Sequence, residues 1–65
     1  MTVRVNGEDR DLPEATSISS LLEQMRLKPQ NVAVELNRRL VRSEKYETPL
    51  RAGDEVEVVT FVGGG

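Results

Sequence analysis

Hydrophobic and polar positions alternate from the start of the chain, with Val3 and Val5 separated by Arg4 and preceded by Thr2. This period of two turns one side of a strand toward a core. Asn6-Gly7 follows, a dipeptide that tolerates the positive φ angles of a type I′ turn, so the pattern predicts a β-hairpin returning through Glu8 to Leu12. A two-residue loop sets Glu8 opposite Val5 and Arg10 opposite Val3, which places charges on the face the valines turn inward. Arg10 can lay its aliphatic stem on the core edge and keep its head in water. Leu12 falls opposite Met1 and suits burial. After Pro13, Thr16 and Ser17 are N-cap residues, and Ile18, Leu21, Leu22 and Met25 recur at helical spacing along one face. Lys28-Pro29 disfavours further helix, which predicts an end near Leu27. From Asn31 to Leu36 the period returns to two, with Val32, Val34 and Leu36 on one face, and Asn37-Arg38 turns the chain into Leu40-Val41. Arg42 to Ala52 has no clean period and contains Pro49, so it reads as irregular, with room for a short turn of helix over Ser43 to Tyr46. Gly53-Asp54 is a turn signal ahead of a strand from Glu55 to Val62, with Val56 and Val58 inward and Val59 and Phe61 on the other face.

Apolar residues on both faces of that last strand require two coverings. One helix and several short strands are accommodated most economically as a single sheet with the helix on one face, an α+β arrangement. The right-handed crossover preference sets the last strand parallel to the first if the two are neighbours. That is the β-grasp arrangement, with a mixed sheet. The second covering, over Val59 and Phe61, is assigned to a partner protein.

Composition narrows the class. A chain of 65 residues makes one domain with a thin core, too small for a deep catalytic cleft. At 37% hydrophobic and 31% charged residues it has the composition of a folded domain. One Phe, one Tyr and no Trp leave few rings for stacking bases, and a net charge of -2 offers no general attraction to phosphates or anionic lipids. Neither nucleic acid nor membrane is an expected partner. Charges recur from Arg4 onward, so no apolar run has the length of a signal peptide or a membrane span, and the expected location is cytoplasmic. Without His or Cys, no metal site, histidine base or thiol nucleophile is expected. Ser17, Ser19 and Ser20 are read as helix-start residues.

The remaining chemistry is at the end of the chain, where Gly63-Gly64-Gly65 follows Val62 directly. The expected division is a folded domain over 1-62 and a flexible glycine tail over 63-65. Glycines have no Cβ and fit slots too narrow for other residues, and three extended residues reach roughly 10 Å. A terminal carboxyl ionises at about 3.3 to 3.7 and is a poor acyl donor as the carboxylate. Conversion by ATP to a mixed anhydride with AMP makes it a good one, and a persulfide can then attack to leave a thiocarboxylate. Terminal glycines alone also fit a frayed end.

Three segments carry a resemblance. Val3-Arg4-Val5-Asn6-Gly7-Glu8, Val32-Ala33-Val34-Glu35-Leu36-Asn37, and Gly53-Asp54-Glu55-Val56-Glu57-Val58-Val59 with Phe61-Val62-Gly63-Gly64-Gly65 resemble the ThiS family of thiamine-biosynthesis sulfur carriers over essentially the whole chain. The resemblance implies a ubiquitin-like β-grasp fold and a protein cosubstrate rather than an enzyme, with no bound cofactor. It implies adenylation of Gly65 by an E1-like enzyme (ThiF type), giving a glycyl adenylate, with ATP consumed by that partner. A cysteine desulfurase supplies the sulfur that makes Gly65 a 1-thioglycine, and a thiazole synthase (ThiG type) receives it. Carried over, Gly65 is the sulfur acceptor, with Gly63 and Gly64 entering partner active sites beside it.

Val59, Phe61 and Val62 are candidate partner contacts, although Phe61 reads equally well as core. Glu55 and Glu57, two apart on one strand face, could pair with a basic partner surface, and a solvated strand looks the same. Arg38, Arg39 and Arg42 read as a solvated loop. Two alternatives to the thiamine role are the small subunit of molybdopterin synthase, which shares the thiocarboxylate chemistry, and a ubiquitin-like modifier or binding module. The molybdopterin subunit resembles a longer chain with prolines shortly before its glycines, where this sequence has Thr60-Phe61-Val62.

Overall fold

The computed structural model describes residues 1–61. Five strands, β1 (Thr2–Val5), β2 (Glu8–Asp11), β3 (Val32–Leu36), β4 (Arg39–Val41) and β5 (Glu55–Thr60), surround one helix, α1 (Ile18–Gln24), in sequence. They form one sheet in the order β2-β1-β5-β3-β4. β5 runs parallel to β1 and antiparallel to β3. The first and last strands are neighbours, so the crossover rule gives the mixed sheet of a β-grasp fold, ubiquitin-like as the resemblance implies.

Both hairpins turn on an asparagine. Asn6 (φ 51°) and Gly7 (φ 81°), and again Asn37 (φ 51°) and Arg38 (φ 70°), hold the left-handed geometry of type I′ loops. The register of the first is the expected one, with Val3 opposite Arg10 and Val5 opposite Glu8. Glu8 and Arg10 escape burial because β2 is the outer strand of the sheet and all four of its residues are exposed. The charges that interrupted the pattern therefore mark the sheet edge, where they discourage pairing with other chains. Each asparagine also ties its turn to β5. Asn6 Oδ1 accepts from the Val58 amide at 2.8 Å, and Asn37 Oδ1 accepts from the Glu55 amide at 2.9 Å.

Helix α1 begins at Ser17, whose Oγ accepts from the Ser20 amide at 3.0 Å. Ile18, Leu21 and Leu22 turn inward and pack with Val3, Val5, Val34, Val56 and Val58 in a single core. The helix stops at Gln24 rather than near Leu27. Arg26 adopts φ 60°, its amide donates to the Glu23 carbonyl at 3.0 Å, and the Leu27 amide donates to the Leu22 carbonyl at 2.9 Å. That pair of bonds is a Schellman closure in which arginine occupies the position usually held by glycine. Left-handed backbone costs a side-chain-bearing residue about 1–2 kcal/mol. Arg26→Gly is therefore expected to stabilise the fold by about 0.5–1 kcal/mol, read as a higher urea midpoint with an unchanged slope. A lower midpoint would mean that the arginine side chain contributes more than its backbone strain removes.

The segment from Arg42 to Ala52 lacks regular structure apart from a 3-10 turn over Ser43–Lys45, in keeping with its missing period, yet it is not slack. Tyr46 and Leu50, 5% and 3% exposed, complete the core. The Ile18 amide donates to the Thr48 carbonyl at 3.4 Å and the Ser19 amide to the Tyr46 carbonyl at 2.8 Å. A helix leaves its first amides without internal partners. Here the irregular segment supplies the acceptors.

Candidate functional site

β5 is the middle strand of the sheet, and Phe61 is the last residue described before 62–65. The inward residues of β5, Val56 and Val58, are buried, 0% and 8% exposed. The opposite face carries Glu55, Glu57 and Val59, and Phe61 lies just beyond the strand end at Thr60. The strand thus ends two residues short of the predicted Val62, and Phe61 still bonds its amide to the Asn31 carbonyl at 2.9 Å. Phe61 is 56% exposed and is not part of the core. Val62, Gly63, Gly64 and Gly65, which the sequence singles out as contact, approach and acceptor, lie outside the described residues.

Among the described residues three large hydrophobic side chains are exposed, Leu40 (69%), Val59 (60%) and Phe61 (56%). Register explains why they belong together. Val59 is opposite Ala33 on β3, while Leu40 on β4 is opposite Glu35, which in turn is opposite Glu57. All of these side chains therefore stand on the outer face of the sheet, away from α1. On this face Val59 and Phe61 flank the end of β5, Glu55 and Glu57 lie toward its start, and Leu40 stands in the cross-strand row of Glu35 and Glu57. Leu40, Ala33 and Glu35 were not among the residues the sequence reading selected. The alternation within β3 already separated Ala33 and Glu35 from the buried set, but only the strand order sets them beside Val59 and Glu57.

The basic cluster is divided by the fold. Arg38 Nε lies 3.6 Å from Glu55 Oε1, and Arg42 Nε lies 3.7 Å from Glu44 Oε2. Both are exposed pairs that contribute little to stability. Arg39 is exposed on β4. The cluster is a solvated surface, as expected. Among the described residues no group of three or more acidic or other metal-binding side chains is assembled to hold a metal ion. No described helix is long and apolar enough to cross a membrane. The outer face thus presents exposed apolar and acidic side chains side by side.

The fold and sequence have close counterparts. A crystal structure of the thiamine biosynthesis protein ThiS from Geobacter metallireducens superposes with a TM-score of 0.83 at 32% identity, covering 100% of both chains. The sulfur carrier protein ThiS of Thermus thermophilus is 42% identical over 64 residues, which is 97% of this chain and 98% of that protein. A thiazole synthase of Paramagnetospirillum magneticum is 33% identical over 66 residues spanning 100% of this chain. The chain covers only 20% of the length of the thiazole synthases it matches. The family model described as the ThiS family matches residues 3–65, through the terminal glycines. With a family match over nearly its whole length and a relative of the same size at 42% identity, this chain belongs to the ThiS family.

Proposed function

We propose that this chain is a sulfur carrier for formation of the thiazole of thiamine, acting as a protein cosubstrate rather than a catalyst. The observation that carries the reading is the ThiS family match, which runs through Gly63, Gly64 and Gly65. The sulfur carriers of similar length and the matching stretch within thiazole synthases support it. The same match favours a thiazole precursor over molybdopterin as the acceptor of the sulfur.

In this reading a Gly65 carboxylate oxygen attacks the α-phosphorus of ATP on an E1-like enzyme, releasing pyrophosphate and forming the acyl adenylate. The terminal sulfur of a protein persulfide, replenished by a cysteine desulfurase, then attacks the acyl carbon and AMP departs. A second thiol cleaves the resulting acyl disulfide, leaving the thiocarboxylate on Gly65 and a disulfide between the two thiols. This chain contains no cysteine, so both thiols belong to partners and no internal thiol competes for the activated acyl group. The thiazole synthase then takes the sulfur. Val59 and Phe61, with Val62, serve as contacts that seat the carrier on its partners, and Gly63 and Gly64 bring Gly65 into their active sites.

The test is mass spectrometry of the tryptic peptide 52–65 after incubation with ATP, the adenylating enzyme, and a desulfurase with cysteine. Intact mass is a poor readout because oxidation of Met1 or Met25 nearly matches the gain from exchanging oxygen for sulfur, whereas the peptide has no methionine. One sulfur in place of one oxygen, dependent on ATP, is the expected result. An unmodified peptide in the presence of demonstrably active partners would sink the proposal.

A further inference from the structure

Glu35 on β3 stands directly opposite Glu57 on β5, on the outer face of the sheet. Residues so placed have Cβ atoms about 4.5–5.5 Å apart, and like charges there repel. Both side chains are exposed. Arg38 frames the same depression with Glu35, Glu55 and Glu57 but pairs with Glu55 at 3.6 Å. Arg4, opposite Glu55 on the other side of β5, pairs with Asp9 at 3.7 Å. Among the described residues neither Glu35 nor Glu57 takes part in an ion pair. Three carboxylates thus share the depression with one arginine, which pairs with Glu55 and leaves Glu35 and Glu57 without an ion pair of their own, next to the exposed apolar residues Leu40, Val59 and Phe61.

Several occupants fit this face poorly. A second copy docked through the same face would bring its own Glu35 and Glu57 against these two. Phosphate backbones and anionic lipids are repelled by the same charges. A calcium-like cation needs six to eight oxygen ligands, more than two exposed carboxylates supply. An arginine or lysine of a protein surface suits it, since one guanidinium can bridge both carboxylates while the apolar residues beside them bury hydrophobic area.

Resting on the carrier reading above, we infer that Glu35 and Glu57 together receive a cationic side chain of the thiazole synthase, and that Leu40, Val59 and Phe61 receive the apolar surface around it. The synthase is chosen over the adenylating enzyme because relatives bearing its name contain, within one polypeptide, a stretch matching all of this chain. At about 3.3 Å per residue the cation sits roughly 13 Å back along β5 from Phe61. The carboxylate pair therefore sets the direction in which the carrier lies on its partner as well as contributing to affinity.

The experiment compares the full chain with the E35Q/E57Q variant by titration calorimetry against purified thiazole synthase and, separately, against the adenylating enzyme, across a salt series. The variant is expected to bind the synthase at least about tenfold more weakly and with less dependence on salt. Its melting temperature should rise by roughly 1–4 °C as the repulsion is removed, so weaker binding is not misread as unfolding. Unchanged synthase binding, or a loss confined to the adenylating enzyme, overturns the inference. ATP-dependent sulfur loading of the wild-type peptide 52–65 is scored in parallel. If loading occurs while synthase binding is unaffected by E35Q/E57Q, only the docking inference falls. If loading fails with active partners, the carrier reading falls and takes this inference with it.

Discussion

Deletion of Gly65 is expected to reduce ATP-dependent sulfur loading and thiazole formation by a factor on the order of 10² or more while leaving the melting temperature unchanged. The truncated chain still ends in a glycine carboxylate, Gly64 having the same chemistry as Gly65, so intrinsic reactivity is preserved. What changes is reach. Each extended residue spans about 3.3–3.6 Å, and acyl transfer requires the reacting atoms within about 3–3.5 Å of one another, with a 1 Å misplacement able to cost about 10²-fold. Among the described residues the buried core runs from Val3 to Val58, which is why no loss of stability is expected. Loading assayed with purified partners, alongside a thermal melt of the same sample, checks both halves. Undiminished loading of the truncated chain would mean that the carboxylate of Gly65 is not the sulfur acceptor.

The second large effect separates two adjacent valines. Val58→Asp is expected to unfold the protein and Val59→Asp to leave it folded but poorly able to bind its partners. Val58 is 8% exposed, faces Val34 across the sheet, and lies in the one core. An ionised carboxylate buried there without a counter-charge costs several kcal/mol. A domain of this size has a total stability of only about 5 kcal/mol or somewhat more, and circular dichroism should show no cooperative melt. Val59 is 60% exposed on the other face, opposite Ala33, where a polar substitution changes stability by about 0.5 kcal/mol at most. Its charge would be buried against whatever covers the outer face, and affinity for the adenylating enzyme or the synthase, measured by calorimetry, should fall at least about tenfold. Equal binding by wild type and Val59→Asp would remove this face from the docking surface, whatever the tail does.

Much of this was legible because it is local. The spacing of Ile18, Leu21, Leu22 and Met25 marks a helix face whatever the helix packs against, and period two does the same for Val3 and Val5, for Val32 and Val34, and for Val56 and Val58. Asn6-Gly7 and Asn37-Arg38 stand where backbone geometry requires positive φ, so both hairpins could be set before any tertiary contact was considered. The split of β5 into an inner face and an outer face also follows from alternation alone.

Other features carry no signal in the hydrophobic period. The helix ends at Gln24 because Arg26 takes a left-handed conformation and Leu27 bonds back to Leu22. Pro29 signalled only a later limit. Phe61 read equally well as core or contact, since being apolar says nothing about which face has a covering, and the helix covers only the other one.

From its own residues, then, the sequence determined the elements, their faces and, given that the first and last strands are neighbours, their parallel direction, because each of these is written in periods, turn dipeptides and chain order. Tertiary structure alone decided that Tyr46 and Leu50 fill the core and that the carbonyls of Tyr46 and Thr48 receive the first amides of α1. It also set Glu35 opposite Glu57 beside Leu40 and Val59. The physical reason is that register between strands and the path of an aperiodic segment are set by how the whole core packs, and no local repeat carries that information.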